Sequence, residues 1–232
     1  MDPILEGLIK AFWLLVSLNP EVYGIMFLTL AVSGTATILG SIFGIPLGTG
    51  VALSEFAGKR ILIGFVNTLM GLPPVVVGLF VYLLLSASGP LGPLQLLYTP
   101  TAMIIAQVII AVPIVVGVTI SSVALVNKSL RDKALSLGAT RSQLAFTILK
   151  EAKLGIATAV ILAFGAAISE VGAVMIVGGN IRWFTRVLTS AIVFETELGE
   201  FAIAIALGII LLLIAFIINL VLTHMQWSGL RR

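Results

Sequence analysis

Residues 61–86 read ILIGFVNTLMGLPPVVVGLFVYLLLS, and they open a run from Ile61 to Asn127 that carries no charged side chain. A spanning helix needs about 20 mostly apolar residues, so this run is too long for one helix. It breaks at SASGPLGPLQ, residues 86–95, where glycine and proline favour a turn. Two membrane spans are therefore predicted, near residues 62–86 and 99–126.

The rest of the chain is similarly apolar. Apolar residues make up 59% of it and charged residues 10%, and the mean hydropathy is +1.21. Soluble domains carry roughly a quarter charged residues. Further spans are predicted near residues 24–53, 154–178 and 201–223. The predicted fold is an all-α polytopic membrane protein, with five transmembrane helices in a single transmembrane domain over residues 1–232.

The first twenty residues form a different kind of segment. They predict an amphipathic helix at about residues 3–18 that is too short and too polar to cross, and that lies at the membrane interface. A sixth, short span is the alternative. The N-terminus opens acidic and lacks a basic region, so no cleavable signal peptide is expected. The apolar residues that share one helical face are Leu5, Leu8, Ile9, Phe12, Trp13 and Val16.

The distribution of Lys and Arg predicts the orientation. If residues 128–153 are cytoplasmic, ten of the thirteen basic residues lie inside, as the positive-inside rule requires. The N-terminus is then external and the C-terminus cytoplasmic, in the cell membrane of a prokaryote. The ten inner residues are Lys59, Arg60, Lys128, Arg131, Lys133, Arg141, Lys150, Lys153, Arg231 and Arg232. The three outer ones are Lys10, Arg182 and Arg186.

The segment at residues 129–156, SLRDKALSLGATRSQLAFTILKEAKLGI, predicts two capped helices separated by a sharp bend. Ser129 is the expected N-cap of the first helix. The side chain of Asp132, three residues later, is expected to accept a hydrogen bond from the backbone amide of Ser129. Gly138 can end that helix, since glycine takes the left-handed conformation cheaply. Thr140 and Gln143 can form a capping box for the second helix. A protruding, rigid helix of this kind suggests a docking surface, whereas a solvated loop is the plainer interpretation.

Several kinds of chemistry are excluded. The chain has no cysteine and one histidine, His224, so disulfides, Cys-ligated zinc and a His-based metal or triad site are not expected. No G-x-x-x-x-G-K-[ST] sequence occurs, so the chain cannot bind and hydrolyse ATP by that route. We expect no catalytic residue, no metal site and no nucleic-acid partner.

The pattern Asp132-Lys133-Ala134-x-x-x-Gly138, with Ile148 ten residues after the glycine, resembles the EAA loop of importer-type ABC transporter permeases. Asp132 and Lys133 stand where Glu and Ala are usual, and the customary Leu-Pro is replaced by lysine-containing sequence. The segments GLPPVVVGLFVYLLLSASGPLG and ISEVGAVMIVGGN are similar to molybdate and tungstate permeases. The whole chain looks most like tungstate-specific permeases.

The resemblance implies a function and partners. The chain would form the path for an oxyanion, tungstate first and then molybdate or sulfate. Its partners would be a second copy of itself, two cytoplasmic ATPase subunits that hold ATP and Mg²⁺, an external oxyanion-binding protein and membrane lipid. This chain would itself bind no cofactor. The residues expected to couple to the ATPase are Arg131, Asp132, Lys133, Ala134, Leu135, Gly138, Ala139 and Thr140.

Four residues inside the predicted spans are candidates for the path or its gate: Pro73, Pro74, Glu170 and Gly172. The proline pair bends a helix that either lines the pore or merely fits its neighbours. Glu170 is the one charged residue deep in a predicted span. Exposing a carboxylate to lipid costs much free energy, so its side chain is expected to face protein or water. Because an ionised Glu170 would repel an oxyanion, a structural or gating role is preferred over substrate binding.

Arg182 and Arg186 lie in the external stretch after the fourth span. If that stretch is helical, their spacing places both on one face. They could attract anions at the mouth or dock an acidic binding protein. The alternatives are headgroup anchoring and pairing with Glu195, Glu197 or Glu200.

Two other functions remain as alternatives. A self-sufficient secondary transporter or channel would need internal repeats or ion-coupling residues in the membrane, and no clear repeat is visible. An intramembrane enzyme would need more than one buried carboxylate.

Overall fold

The structure, a computed structural model, describes residues 2–228. Within that range it contains eleven α-helices, one short 3-10 turn and no β-strand. Arg231 and Arg232, which were predicted to lie inside, fall outside the described residues. The helices are α1 Pro3–Val16, α2 Pro20–Leu53, α3 Lys59–Met70, α4 Pro74–Leu85, α5 Pro100–Ala124, α6 Lys128–Ser136, α7 Arg141–Glu151, α8 Lys153–Ile168, α9 Gly172–Gly178, α10 Leu188–Glu197 and α11 Phe201–Ser228.

Three of these helices, α2, α5 and α11, are long and apolar enough to cross a membrane. Two further pairs pass the same test but are sharply bent, by 93° between α3 and α4 and by 73° between α7 and α8. The described part of the chain thus has three spans, or up to five if each bent pair counts as one. The all-helical membrane architecture is confirmed at this level.

Helices α2 and α5 form the central pair. Gly40, Gly44 and Gly48 recur every fourth residue on α2 and face α5. A Cβ added at Gly44 would lie 2.7 Å from the Cβ of Val115, so only glycine allows the two backbones to approach this closely. Gly34, on the same helix, has open space where its Cβ would be.

The predicted span at residues 62–86 is two helices. Helix α3 ends at Met70, and α4 begins at Pro74 after a break at residues 71–73. The break follows from the sequence Pro73-Pro74, because proline cannot donate the backbone hydrogen bond that would continue the helix. Val77 and Val81 of α4 then pack in the core against α5 and α9.

The predicted span at residues 154–178 is also broken, and here the prediction of one continuous helix was wrong. Helix α8 ends at Ile168, and α9 begins at Gly172. Side chains take over the hydrogen bonds of the break: Gln107 Nε2 on α5 donates to the carbonyl of Ala167 at 2.9 Å. The Ala167 carbonyl, which also accepts from the Glu170 amide at 3.3 Å, thus has a further buried partner on another helix where α8 ends.

Helix α1 packs on the first half of α11. Gly7 is buried there, and a Cβ at Gly7 would clash with Ile205. At 14 residues the helix is about 21 Å long, which is shorter than the roughly 30 Å hydrocarbon core of a bilayer. Its predicted apolar face is exposed, with Phe12 at 63% and Trp13 at 62%.

Candidate functional site

The predicted helix-bend-helix lies at the end of the molecule where α2 finishes. Gly138 has φ +80° and ends α6, while the amides of Gly138 and Ala139 donate to the carbonyls of Leu135 and Ala134 at 3.0 Å. This is the pairing of a Schellman motif. The capping box of Thr140 and Gln143 at the start of α7 is present. Two helices are therefore held at a fixed angle by local bonds.

The predicted N-cap of α6 was wrong by two residues. Asn127, not Ser129, caps the helix, and its side chain accepts the amide hydrogen of Ser129 at 2.9 Å. Asparagine is among the most strongly preferred N-cap residues, so the helix begins directly after Asn127, before Ser129. Asp132 is exposed and free of the predicted capping role.

Helix α6 has an inner and an outer side. Leu130 and Ala134 pack on the buried residues Leu144 and Ile148 of α7. Asp132, Lys133 and Thr140 are exposed, as are the apolar residues Leu135 (48%) and Leu137 (87%). Leu137 was missed by the sequence reasoning, although its place beside Gly138 puts it at the tip. An exposed apolar tip among charges is typical of a contact surface for another protein.

Arg131 points away from this outer surface. Its Nη2 atom donates to the carbonyl of Leu53 at 3.0 Å, which joins α6 to the last turn of α2. Lys59 fills the same role beside it, with Nζ donating to the carbonyls of Ala52 and Ser54. The last four carbonyls of a helix lack partners within the helix, so basic side chains here cap α2.

The candidates for the path come together in the middle of the molecule. A Cβ added at Gly172 would lie 2.5 Å from Val75 Cγ2, and one added at Gly78 would lie 2.6 Å from the Cα of Ala173. The start of α4, after Pro73 and Pro74, therefore touches the start of α9. The structure places two helix breaks side by side.

Glu170 lies in the second break and is 8% exposed. Its Oε1 atom accepts the amide hydrogen of Ala173 at 2.8 Å, and its backbone carbonyl accepts from Thr189 Oγ1 at 2.8 Å. The carboxylate is thus held against the first turn of α9. Such contacts favour a structural use of Glu170, because a carboxylate stabilises the start of a helix.

Arg182 and Arg186 lie at the opposite end of the molecule, in a turn rather than a helix, so the predicted shared helical face does not exist. Arg182 pairs with Glu21 through two hydrogen bonds, Nε–Oε1 at 2.7 Å and Nη2–Oε2 at 2.6 Å. The hydrogen bond to the Glu21 carboxylate raises the pKa of the Arg182 guanidinium. Glu21 was not among the predicted partners, since 161 residues separate the two in sequence.

Arg186 has a different neighbour. Its guanidinium carbon lies 4.4 Å from the centre of the Phe194 ring, a cation–π contact. Its Nε atom is buried, with no hydrogen-bond partner among the described residues. The two arginines were predicted to act together, but Arg182 is paired with a carboxylate whereas Arg186 contacts an aromatic ring and has an Nε atom that is unpaired within residues 2–228.

Among residues 2–228 no group of three or more His, Asp or Glu side chains could hold a metal ion. What the arrangement offers is a short, partly exposed helix tied to a long span at one end, two broken helices in the middle and a cluster of charged side chains at the other end.

Comparisons with known proteins agree with this arrangement. The chain is 45% identical over 226 residues to the tungstate uptake system permease protein TupB of Peptoclostridium acidaminophilum, covering 97% of this chain and 99% of the relative. It is 38% identical over 224 residues to TupB of Campylobacter jejuni, covering 97% and 93%. Both relatives are transport proteins rather than enzymes.

The fold agrees as well. The chain superimposes with a TM-score of 0.77 on a chain of a bacterial alginate ABC transporter crystallised with a periplasmic protein, at 21% identity and with 94% of this chain and 85% of the other covered. Residues 40–226 match the family described as binding-protein-dependent transport system inner membrane component. Since that match covers most of the chain, this protein belongs to the family of binding-protein-dependent transport system inner membrane components.

Proposed function

We propose that this chain is the permease subunit of an ABC importer for tungstate, with molybdate and sulfate as the next candidates. The observation that carries the proposal is the 45% identity to a tungstate uptake permease along nearly the whole of both chains. The chain is a transport component, and ATP hydrolysis belongs to a separate subunit.

The assembly we propose has two copies of this chain, two ATPase subunits and an external binding protein. The exposed outer side of α6, including Asp132, Lys133 and Leu135, is the proposed ATPase contact. Ala134, Ala139 and Gly138 shape that contact, while Arg131 transmits its movement to α2. ATP and Mg²⁺ would be held by the ATPase, which fits the lack of a nucleotide-binding motif in this chain.

The two neighbouring helix breaks are the proposed gate. Irregular backbone at membrane depth is tolerated only where it is buried in protein or lines a water-filled path. The breaks at residues 71–73 and 169–171 are followed by helices α4 and α9, which pack on each other, so the two bends can change angle together when α3 and α8 are moved. Glu170 serves this gate by capping α9, and direct substrate binding by its carboxylate is disfavoured by charge repulsion.

The orientation we propose puts α6 in the cytoplasm and the N-terminus outside, in the cell membrane of a prokaryote. The basic residues Lys59, Arg60, Lys128, Lys133 and Arg141 at the α6 end support it through the positive-inside rule. Helix α1, short and apolar on its exposed side, is proposed to lie at the outer interface.

Uptake of labelled anions by the reconstituted complex tests the substrate. With its binding protein outside and ATP inside, we expect the complex to import tungstate, with molybdate and sulfate as weaker competitors. Sulfate uptake without tungstate uptake would contradict the choice of anion. Uptake that persists without the ATPase subunits would instead support the secondary transporter or channel.

A further inference from the structure

A cavity of about 430 Å³ lies at the Arg182 end, between α1, α2, α10 and α11. Its lining includes the cationic side chains of Lys10, Arg182 and Arg186, of which Arg182 is exposed at the surface. The lining also includes the apolar side chains of Leu14, Ile203 and Leu207, of which Leu207 is buried. The cavity is therefore amphipathic.

Only part of the positive charge in the lining is neutralised within the protein. Arg182 is engaged by Glu21 in a two-point pair. Arg186 also interacts electrostatically with Glu21, and the other carboxylate in the lining is Glu195, so three cations share two carboxylates. The guanidinium of Arg186 makes no side-chain hydrogen bond in residues 2–228. Phe194 holds it in place by its ring, so its donors are presented ready for an oxygen-rich anion.

The surroundings of the cavity indicate what kind of anion fits. The helices α1 and α11 that line the cavity also expose large apolar side chains on their other faces, such as Phe12 on α1 (63%) and Leu212 on α11 (71%), as helices in contact with lipid do. A small free anion would lose its hydration against apolar walls and leave most of 430 Å³ unfilled. A molecule with an anionic head and a hydrocarbon chain fills both parts.

We propose that this cavity binds an anionic phospholipid of the outer leaflet. Its phosphate accepts hydrogen bonds from Arg186 and Lys10, and an acyl chain lies along Leu14, Ile203 and Leu207. The bound lipid fills the space between α1 and the bundle. A free tetrahedral oxyanion shares the head-group chemistry, so the test must separate the two sources.

The test measures phospholipid retained by the purified complex. The complex is exchanged into detergent containing phosphatidylglycerol and phosphatidylcholine, washed, and examined by native mass spectrometry. We expect the wild type to retain phosphatidylglycerol, and Arg186→Gln to retain about tenfold less, since a hydrogen bond to a charged group contributes on the order of 1.4 kcal/mol. Arg60→Gln removes an exposed cation from the other end and is the charge-matched control.

A second variant keeps the proposal falsifiable if Arg186→Gln fails to fold. Leu14→Trp leaves every charge in place but fills the apolar part, so it should expel the lipid as well. Equal retention by wild type and both variants would overturn the proposal. So would Arg186-dependent binding of labelled tungstate to the delipidated complex, which would assign the site to a free oxyanion. Because lipid retention needs no transport, its failure leaves the tungstate proposal intact.

Discussion

Arg131 lies on α6, the proposed docking helix, and its guanidinium donates to the carbonyl of Leu53 on α2. We propose that a push on α6 passes through this bond to a helix of 34 residues, about 51 Å long at 1.5 Å per residue. The bond is partly exposed, so its loss is expected to cost at most about 1.5 kcal/mol of stability. Its greater effect should be on coupling.

We therefore expect Arg131→Ala to assemble with the ATPase but to transport several-fold fewer anions per ATP hydrolysed. Simultaneous measurement of uptake and phosphate release gives this ratio. Lys128→Ala removes the same charge from the exposed first residue of α6 and should leave the ratio unchanged. An Arg131→Ala complex with a normal ratio would show that the bond to Leu53 transmits nothing.

Glu170 allows a test between a structural carboxylate and a chemical one. Glu170→Gln keeps an oxygen to accept the amide hydrogen of Ala173, so transport and thermal stability should stay close to wild type. Glu170→Leu leaves that buried amide unpaired, which is expected to cost about 1–3 kcal/mol and to lower the thermal midpoint. If Gln were as damaging as Leu, the negative charge itself would be required.

At the scale of the elements, the α2–α5 pair depends on three glycines. Gly44→Ala would force a Cβ to 2.7 Å from the Cβ of Val115, and overpacking of this kind costs about 1–3 kcal/mol. Gly34→Ala makes the same change on the same helix in open space, where it should stabilise the helix by up to about 1 kcal/mol. Thermal midpoints of the two variants should therefore move in opposite directions, and a shared direction would contradict the packing.

The bend between α6 and α7 depends on the left-handed backbone of Gly138 at φ +80°. Asparagine tolerates this conformation, whereas a β-branched residue is strained there by about 1–2 kcal/mol or more. Gly138→Asn should keep normal ATPase binding and uptake, and Gly138→Val should lose both while the spans stay folded. Co-purification of the ATPase with each variant provides the measurement. Retention of the ATPase by Gly138→Val would argue against α6 as the docking element.

The elements that the sequence predicted well are those with local causes. The capping box joins Thr140 to Gln143, three positions later, and the break before α4 follows from the adjacent prolines Pro73 and Pro74. The break at residues 169–171 escaped prediction because part of its hydrogen bonding comes from Gln107, 60 residues away, which donates to the carbonyl of Ala167. The ion pair of Arg182 with Glu21 also escaped prediction, because its two residues are 161 positions apart in the sequence.

At the scale of the whole molecule, the two ends are chemically distinct. One end carries the proposed docking helix α6 and most of the basic residues, and the other carries the Glu21–Arg182 pair and the amphipathic cavity. The long helix α2 connects them, since Glu21 lies in its first turn and Leu53 at its end. The proposed docking helix at one end and the Glu21–Arg182 pair at the other are therefore attached to the same helix, which contains one internal proline, Pro46.

The orientation of these ends can be tested directly because the chain contains no cysteine, so a single introduced thiol is the sole target. Ser136→Cys marks the exposed end of α6, and Glu197→Cys marks the exposed end of α10. With a membrane-impermeant maleimide, Glu197→Cys should label in intact spheroplasts, and Ser136→Cys only in inside-out vesicles stripped of ATPase subunits. The expectation follows from the excess of Lys and Arg at the α6 end. The reverse labelling pattern would place α6 outside the cell, where no ATPase could push it, and the proposed coupling would fail with it.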